Sequence, residues 1–405
     1  MKKPHSKIKN IVINSIISCA SILITLLCIE AFLAVFHPFK ITDQLISDQY
    51  DPIMGWVNKP NIIGETKLGY TVNTYFHRQH NSHGLRSLRE VSYAKPPGVK
   101  RILLIGDSFF WGYGVDDDKV VSELLQKMAG DRVEVINGAV SGYGTDQELL
   151  WLMNEGLKYK PDLVICGMFP DNDLEEISTS MIYFHPKPYF TLENNKLTVH
   201  NVPVPNIEEY RGNMLSSRDN LFRELKTFLR HNVHTYQFVV SKLNSIPKLR
   251  KTFILCKLCE DFSGLYKKSY FYTLTDMQKR ASLSDALVKE MARICATNSA
   301  TFLLCFIPAK EQAPALSTGT KPGDSLEKNG SNANMDYHLN SENSSYLSAF
   351  TAANRIAFLD LLPIVRKNQL AGTPLYYTGS EDHHWNESGH RVAAQAIFDY
   401  LWGAQ

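Results

Sequence analysis

The chain has 405 residues, 44% of them hydrophobic and 21% charged, enough for one large α/β domain with additions or for two domains. Its 43 basic and 41 acidic residues are spread along the chain and leave a formal net charge of +2, which excludes nucleic acid as an electrostatically driven partner.

Residues 1–10 carry Lys2, Lys3, Lys7 and Lys9 and precede an apolar run at residues 11–36. A run of that length spans a bilayer as a helix, since ~20 apolar residues suffice. By the positive-inside rule the lysines stay in the cytoplasm and the remainder is exported, which predicts a single-pass inner-membrane protein with its folded part on the extracytoplasmic side. A cleaved leader is the competing reading; the run is longer than a usual leader core and ends in no small-x-small cleavage site, so an uncleaved anchor is preferred. Glu30 lies near the outer end of the run, where it reaches the headgroups or pairs with a partner helix; the headgroup reading is preferred.

Residues 37–97 are punctuated by Pro38, Pro52, Pro60, Pro96 and Pro97 and contain Thr-rich and aromatic pieces, a pattern that predicts a β-rich juxtamembrane region. From residue 98 to the end, strand-length apolar runs alternate with helical periods, which predicts an α/β fold with a parallel sheet. The strands fall at 99–105, 132–136, 162–168, 301–307 and 356–361. Helices are expected at 120–128, at 146–159 behind a capping box of Thr145 and Glu148, at 276–295 and from about 386 onward. Two insertions interrupt the alternation. Residues 175–272, aromatic and basic with a short helical run at 221–229, read as a lid or substrate platform; residues 311–350, rich in Ser, Asn and Gly, read as a mobile loop.

Cys19 and Cys28 fall in the anchor. Of the other five cysteines, Cys166 and Cys305 sit in apolar runs as small buried hydrophobes, and Cys295 ends the 276–295 helix. Cys256 and Cys259 form a single CxxC without a second pair, which argues against zinc and leaves a local disulfide or two free thiols.

Active sites of open parallel sheets collect at the carboxyl ends of the strands. After the first strand stands Gly106-Asp107-Ser108-Phe109, a hydroxyl on a strand-to-helix turn, either a nucleophile or a capping serine. After the second comes the small-residue loop from Asn137 to Thr145 with Gly142, and after the third Asn172 in Pro170-Asp171-Asn172-Asp173; taken singly, each is also an ordinary connection. Before the last helix stands Asp382-His383-His384-Trp385-Asn386-Glu387-Ser388-Gly389-His390, where a carboxylate two residues from an imidazole can hold its tautomer. Metal ligation by this cluster is the minor reading, because no matching cluster accompanies the other strand ends.

Together, in order and spacing, these four blocks resemble those of the SGNH or GDSL hydrolase superfamily. The likeness covers the chain from Val99 to its end, and Asp51 to Trp56 with Asn81 to Arg86 also resembles the leader of membrane-anchored bacterial members. The resemblance implies an SGNH-hydrolase-like three-layer α/β fold in which Ser108 attacks an ester carbonyl, His384 moves the proton and Asp382 orients the imidazole. It further implies an oxyanion hole from the N–H groups of Ser108 and Gly142 and the Asn172 amide, with no metal or organic cofactor. Many members place the acid three residues before the histidine, which selects Glu381; the Asp-x-His-Trp-Asn form resembles alginate-type O-acetyltransferases, and Asp382 is chosen. His384 aligns with Asn386 and Gly389, so His383 is assigned a packing or substrate role. Three functions follow in order of preference: hydrolysis of an ester on an envelope carbohydrate or acyl chain, transfer of an acyl group to an envelope polysaccharide, and an anchored binding protein without turnover.

Overall fold

The computed structural model describes residues 4–36, 47–68, 75–169, 173, 177–182, 185–206, 225, 228–229, 232–236, 238–239, 274–313, 333–377 and 383–403. Contacts along the chain separate two compact units, Met1–Asp43 with Arg211–Gly264, and Gln44–Tyr210 with Leu265–Gln405.

In the first unit, α1 (Pro4–Phe36) includes the apolar stretch Val12–Phe36, the one helix among the described residues long and apolar enough to cross a membrane, as an anchor or a signal sequence would. Glu30 is not left to solvent or headgroups. Its carboxylate accepts from the backbone N–H of His234 (2.7 Å) and of Thr235 (2.8 Å), from the Thr235 hydroxyl (2.6 Å), and faces His234 Nδ1 at 2.9 Å.

The second unit opens with two hairpins, β1 (Asp48–Asp51) with β2 (Gly55–Asn58) and β3 (Ile62–Lys67) with β4 (Tyr75–His80). The main sheet takes β5 (Lys100–Gly106), β6 (Val133–Asn137), β7 (Leu163–Met168), β12 (Thr301–Phe306) and β13 (Ala357–Asp360), all parallel, in the order β13-β12-β7-β5-β6. Side chains alternate between the faces of a strand. In β5, Leu103 and Ile105 enter one core with Leu149, Leu152, Leu287 and Met291, while Ile102 and Leu104 enter another with Leu125, Ala393 and Ile397. Both faces are thus covered, as a parallel sheet requires, and the near-continuous apolar strands follow from it. The covering helices are α2 (Ser108–Trp111), α3 (Val121–Ala129), α4 (Thr145–Asn154), then α5 (Leu274–Thr297), α6 (Ala333–Asn354), α7 (Leu362–Leu370) and α8 (Glu387–Trp402). The fold is a three-layer α/β structure.

β5 is the strand from which the chain turns first to β6 on one side and then, across it, to β7 on the other. Connections leaving in opposite directions open a crevice at the carboxyl end of that strand. Ser108 stands at that end.

Three local expectations differ from the structure. The capping box does not form: Gly144 caps α4 from an extended conformation and Thr145 is already helical, its side chain buried with those of Asp146 and Glu148. The helix also stops at Asn154 and gives way to a 3-10 turn at Gly156–Tyr159. Within the expected polar loop, residues from Ala333 onward are helical, and α6 is seated by Leu347, Phe350 and Thr351, a stripe too thin to register among so many Ser and Asn. The start of the long insertion forms short hairpins, β8 (Met181–Ile182) with β9 (His185–Pro186) and β10 (Tyr189–Glu193) with β11 (Lys196–His200), whose Ile182 and Phe190 join the core beside α4. Lys187, fully buried, pairs with the equally buried Asp146 at 2.6 Å. Cys166 and Cys305 lie buried on central strands as expected; Cys256 and Cys259 lie outside the described residues.

Candidate active site

The turn after β5 is assembled from buried parts. Asp107 caps α2, its carboxylate accepting from Phe109 N–H at 2.9 Å, and Ser108 is the first helical residue. α2 lasts four residues because Gly112, at φ +96°, turns the chain back and donates its N–H to Ser108 O. A Cβ at Gly112 would lie 2.4 Å from Val120 Cγ1, so both conformation and space demand glycine. Phe109, Phe110 and Trp111 are all buried, which fixes the rotation of the helix and the placement of Ser108, itself only 7% exposed.

Arg86, fully buried, closes the turn from below. Its Nε donates to Asp117 Oδ1 (3.0 Å), and its two terminal nitrogens donate to the carbonyls of Trp111 (3.1 Å), Gly112, Val115 (2.6 Å) and His77 (3.1 Å). The guanidinium also lies over the Trp111 ring at 4.5 Å. Five donors in one fixed plane suit a cluster of carbonyls that no point charge would satisfy.

The histidine segment comes from the other end of the chain. Trp385 bridges to Tyr376, Tyr377 N–H donates to His384 O at 3.2 Å, and Asn386 caps α8 by accepting from Ser388 and Gly389 N–H at 2.9 and 3.1 Å. Trp385 is wholly buried, edge-on to Phe109 at 5.0 Å. This brings His384 Nε2 to 2.7 Å from Ser108 Oγ, with the imidazole between the rings of Tyr113 (4.6 Å) and Phe109 (5.1 Å). His383 turns elsewhere: its side chain is 60% exposed and its Nδ1 lies 3.0 Å from Glu311 Oε1. His390, behind Trp385, is buried; desolvation, with the Arg86 and His384 charges adding, pushes its pKa down to about 3, so it is neutral in the fold.

The loop after β6 is anchored beside the Ser108 turn by Val140 N–H donating to Gly106 O at 3.1 Å. Gly142 adopts φ +80°, a conformation glycine supplies without cost. From β2, Asn58 Nδ2 donates to Ala139 O and Trp56 Nε1 to Ser141 O, both at 3.1 Å, while Tyr143 Oη donates to Trp56 O at 2.6 Å. Of the remaining sequence-predicted residues, Asn172, Asp382 and the alternative acid Glu381 lie outside the described residues. Asp173 is buried and accepts from Phe169 N–H at 2.8 Å.

Beneath the turn, Glu148 accepts from Cys166 Sγ at 3.2 Å. Burial pushes the Glu148 and Asp173 carboxyls well up, and their mutual repulsion and that of Asp107 add to it, which favours the neutral acids. Asp146 is raised by burial too, against the pull of Lys187. Among the described residues no group of three or more His, Cys, Asp or Glu is placed to hold a metal ion.

Sequence reasoning did not reach Arg86 as the brace of the Ser108 turn, nor Tyr113 as a wall for His384. Arg86 had been noted only as the end of a local pattern, and nothing along the chain links it to carbonyls 25 to 29 residues away.

No protein-family model matches the chain, and no curated protein matches it. Among solved structures it is similar to an acetyl xylan esterase at 12% identity, with a TM-score of 0.37, over 74% of this chain and 99% of that one. It is similar also to the aryl esterase of M. smegmatis in its inhibitor-bound form, at 13% identity and a TM-score of 0.36, over 76% of this chain and 100% of that one. A GDSL-like lipase from Bacteroides thetaiotaomicron matches at 12% identity and a TM-score of 0.34, over 76% and 89% of the respective chains.

Proposed function

We propose that the chain is a serine-dependent ester hydrolase acting through an acyl-enzyme on Ser108. The observation that carries this reading is the 2.7 Å approach of His384 Nε2 to Ser108 Oγ at the carboxyl end of β5, where the sheet opens its crevice.

Ser108 Oγ attacks the ester carbonyl carbon as its proton passes to His384 Nε2, and the carbonyl oxygen becomes an oxyanion. The N–H of Ser108 belongs to the first turn of α2, whose leading N–H groups have no intrahelical acceptor. With the N–H of Gly142 and the Asn172 amide it forms the oxyanion hole, each preorganised donor worth ~3 kcal/mol to the transition state. Collapse breaks the ester C–O bond, and the leaving alkoxide takes the proton from His384. Water then attacks the acyl-serine, giving its proton to His384, and the acid departs as Ser108 recovers that proton. Asp382 holds the imidazole so that Nε2 faces Ser108. No step uses a metal or organic cofactor.

The substrate class is an ester on an envelope carbohydrate or an acyl ester, reached on the extracytoplasmic side of the membrane that α1 spans. The second reading replaces the water with a sugar hydroxyl, making the chain an O-acyltransferase for an envelope polysaccharide. The two-residue spacing of Asp382 and His384, followed by Trp385, supports it by its resemblance to the alginate-type acetyltransferases. The third, an anchored binding protein without turnover, is disfavoured by the Ser108–His384 contact.

A fluorophosphonate probe tests the main reading: wild type is labelled and Ser108→Ala is not. Equal labelling of both, or of neither, removes it. A chromogenic acetyl ester, with and without oligosaccharide acceptors, then separates hydrolysis from transfer: acetate release that falls as acetylated sugar appears favours transfer.

A further inference from the structure

A carboxylate inside a bilayer is costly unless it is fully hydrogen-bonded, and Glu30 is bonded on both oxygens by residues more than two hundred positions away. At 1.5 Å per residue, Glu30 stands ~9 Å inward from the end of α1 at Phe36. The residues that satisfy it therefore sit at about the same depth. Thr235 and Phe238 also line a groove with Thr25, Cys28, Ile29 and Phe32 of α1. The groove is apolar apart from threonine and cysteine side chains, a lining that suits an acyl chain.

The same stretch shows large apolar side chains to its surroundings: Phe228 is 58% exposed, Leu225 50% and Val239 46%. Over residues 211–264 the sequence holds ten Lys and Arg against four Asp and Glu, in a chain that is otherwise slightly acidic. Apolar side chains among basic ones are the composition of an element that lies in a membrane interface bearing anionic headgroups.

We infer that α1 is retained, and that the helical residues between 225 and 239 dock on it through Glu30 and rest in the adjoining lipid leaflet, with a phospholipid acyl chain in the groove. The partner is the lipid itself. This stands independently of the chemistry at Ser108, because every residue it uses belongs to the other unit.

The test uses the full chain in vesicles of phosphatidylcholine with about a third phosphatidylglycerol, enough anionic lipid to engage a basic segment. A photoreactive benzoylphenylalanine replaces Phe228 or Val239, with Ile24 of α1 as the position certain to meet lipid if α1 spans. Lipid adducts at 228 and 239 are expected within about threefold of those at 24, and Glu30→Leu lowers the first two by about tenfold without changing the third, since it removes only the docking acceptor. Adducts at 24 alone, adducts to protein in place of lipid, adducts indifferent to Glu30→Leu, or a mature chain lacking its first 36 residues would each overturn the inference.

Discussion

The turn that carries Ser108 and the segment that carries His384 meet at 2.7 Å, but they are held by different means. The turn is built into the core: Asp107 caps it, Gly112 ends it, and Arg86 grips its carbonyls from a hairpin region earlier in the chain. The histidine segment is held by several separate contacts: the backbone bonds to Leu375 and Tyr377, the buried ring of Trp385 and the Asn386 cap, with only His383 left at the surface. One buried guanidinium that bonds five groups fails at large cost, whereas a segment held by separate contacts loses them one at a time.

That contrast can be broken at its centre first. His384→Ala removes the proposed proton carrier and is expected to lower the rate of acyl-enzyme formation by roughly 10⁴ to 10⁶, as losing one member of an interdependent set does; a loss within tenfold, read by stopped-flow acylation, would place the base elsewhere.

Next in size, Arg86→Ala leaves several buried carbonyls without their donor and Asp117 with only His77 and the Gln79 N–H, and should cost about 3 to 5 kcal/mol in urea unfolding. The Ser108 turn is then expected to lose activity together with stability. A midpoint equal to wild type would show that the turn does not need its brace.

Behind the histidine segment, His390 is neutral in the fold with its pKa at about 3. The unfolded chain binds a proton there below ~6.5, so its contribution is fully present above that pH and is lost as pH falls towards the folded value. Wild type should therefore lose stability on acidification from pH 6 to pH 4 faster than His390→Gln, by ~1.4 kcal/mol per pH unit. His80, lowered to about 4, acts in the same sense, and Asp48, raised to about 6, acts in the opposite one; comparing the two proteins cancels both. Parallel unfolding curves across that range would contradict a neutral His390.

Smaller effects sharpen the histidine side. Asn386→Ala removes the cap of α8 and the Nδ2 bonds to the carbonyls of Pro374 and Tyr376, and should cost ~1 kcal/mol or more, with a fall in kcat at unchanged KM as His384 loosens; Asn386→Asp keeps the cap acceptor but not those two donors and should recover the stability only in part. His383→Ala removes an exposed pair with Glu311 and should change stability by less than ~1 kcal/mol while acylation proceeds. Acylation lost in His383→Ala and kept in His384→Ala would move the proton carrier by one residue.

The strands of the main sheet were readable because each is an apolar run buried on two faces, and all five proposed strands fall within one residue, at each end, of where the periodicity puts them. α6 was not readable, since Leu347 and Phe350 among serines and asparagines make a helix that tertiary contact must complete. The capping box at Thr145 failed for a related reason: the helix start points inward, and Thr145 is taken into the core with its acidic neighbours. Glu30 shows the same limit, as its donors lie on a segment that no local pattern connects to α1.

What the amino-acid sequence determined by itself was local: which stretches are apolar at strand or helix period, that a long apolar helix precedes the rest, and that a serine, a glycine loop and a histidine block follow strand ends in order. Which arginine holds the turn that carries Ser108, and which rings wall the imidazole of His384, only the tertiary structure decided. Both depend on contacts between residues far apart in the chain, whose distances are set by how β5, β6 and α8 pack around one another rather than by anything encoded within a single turn of backbone.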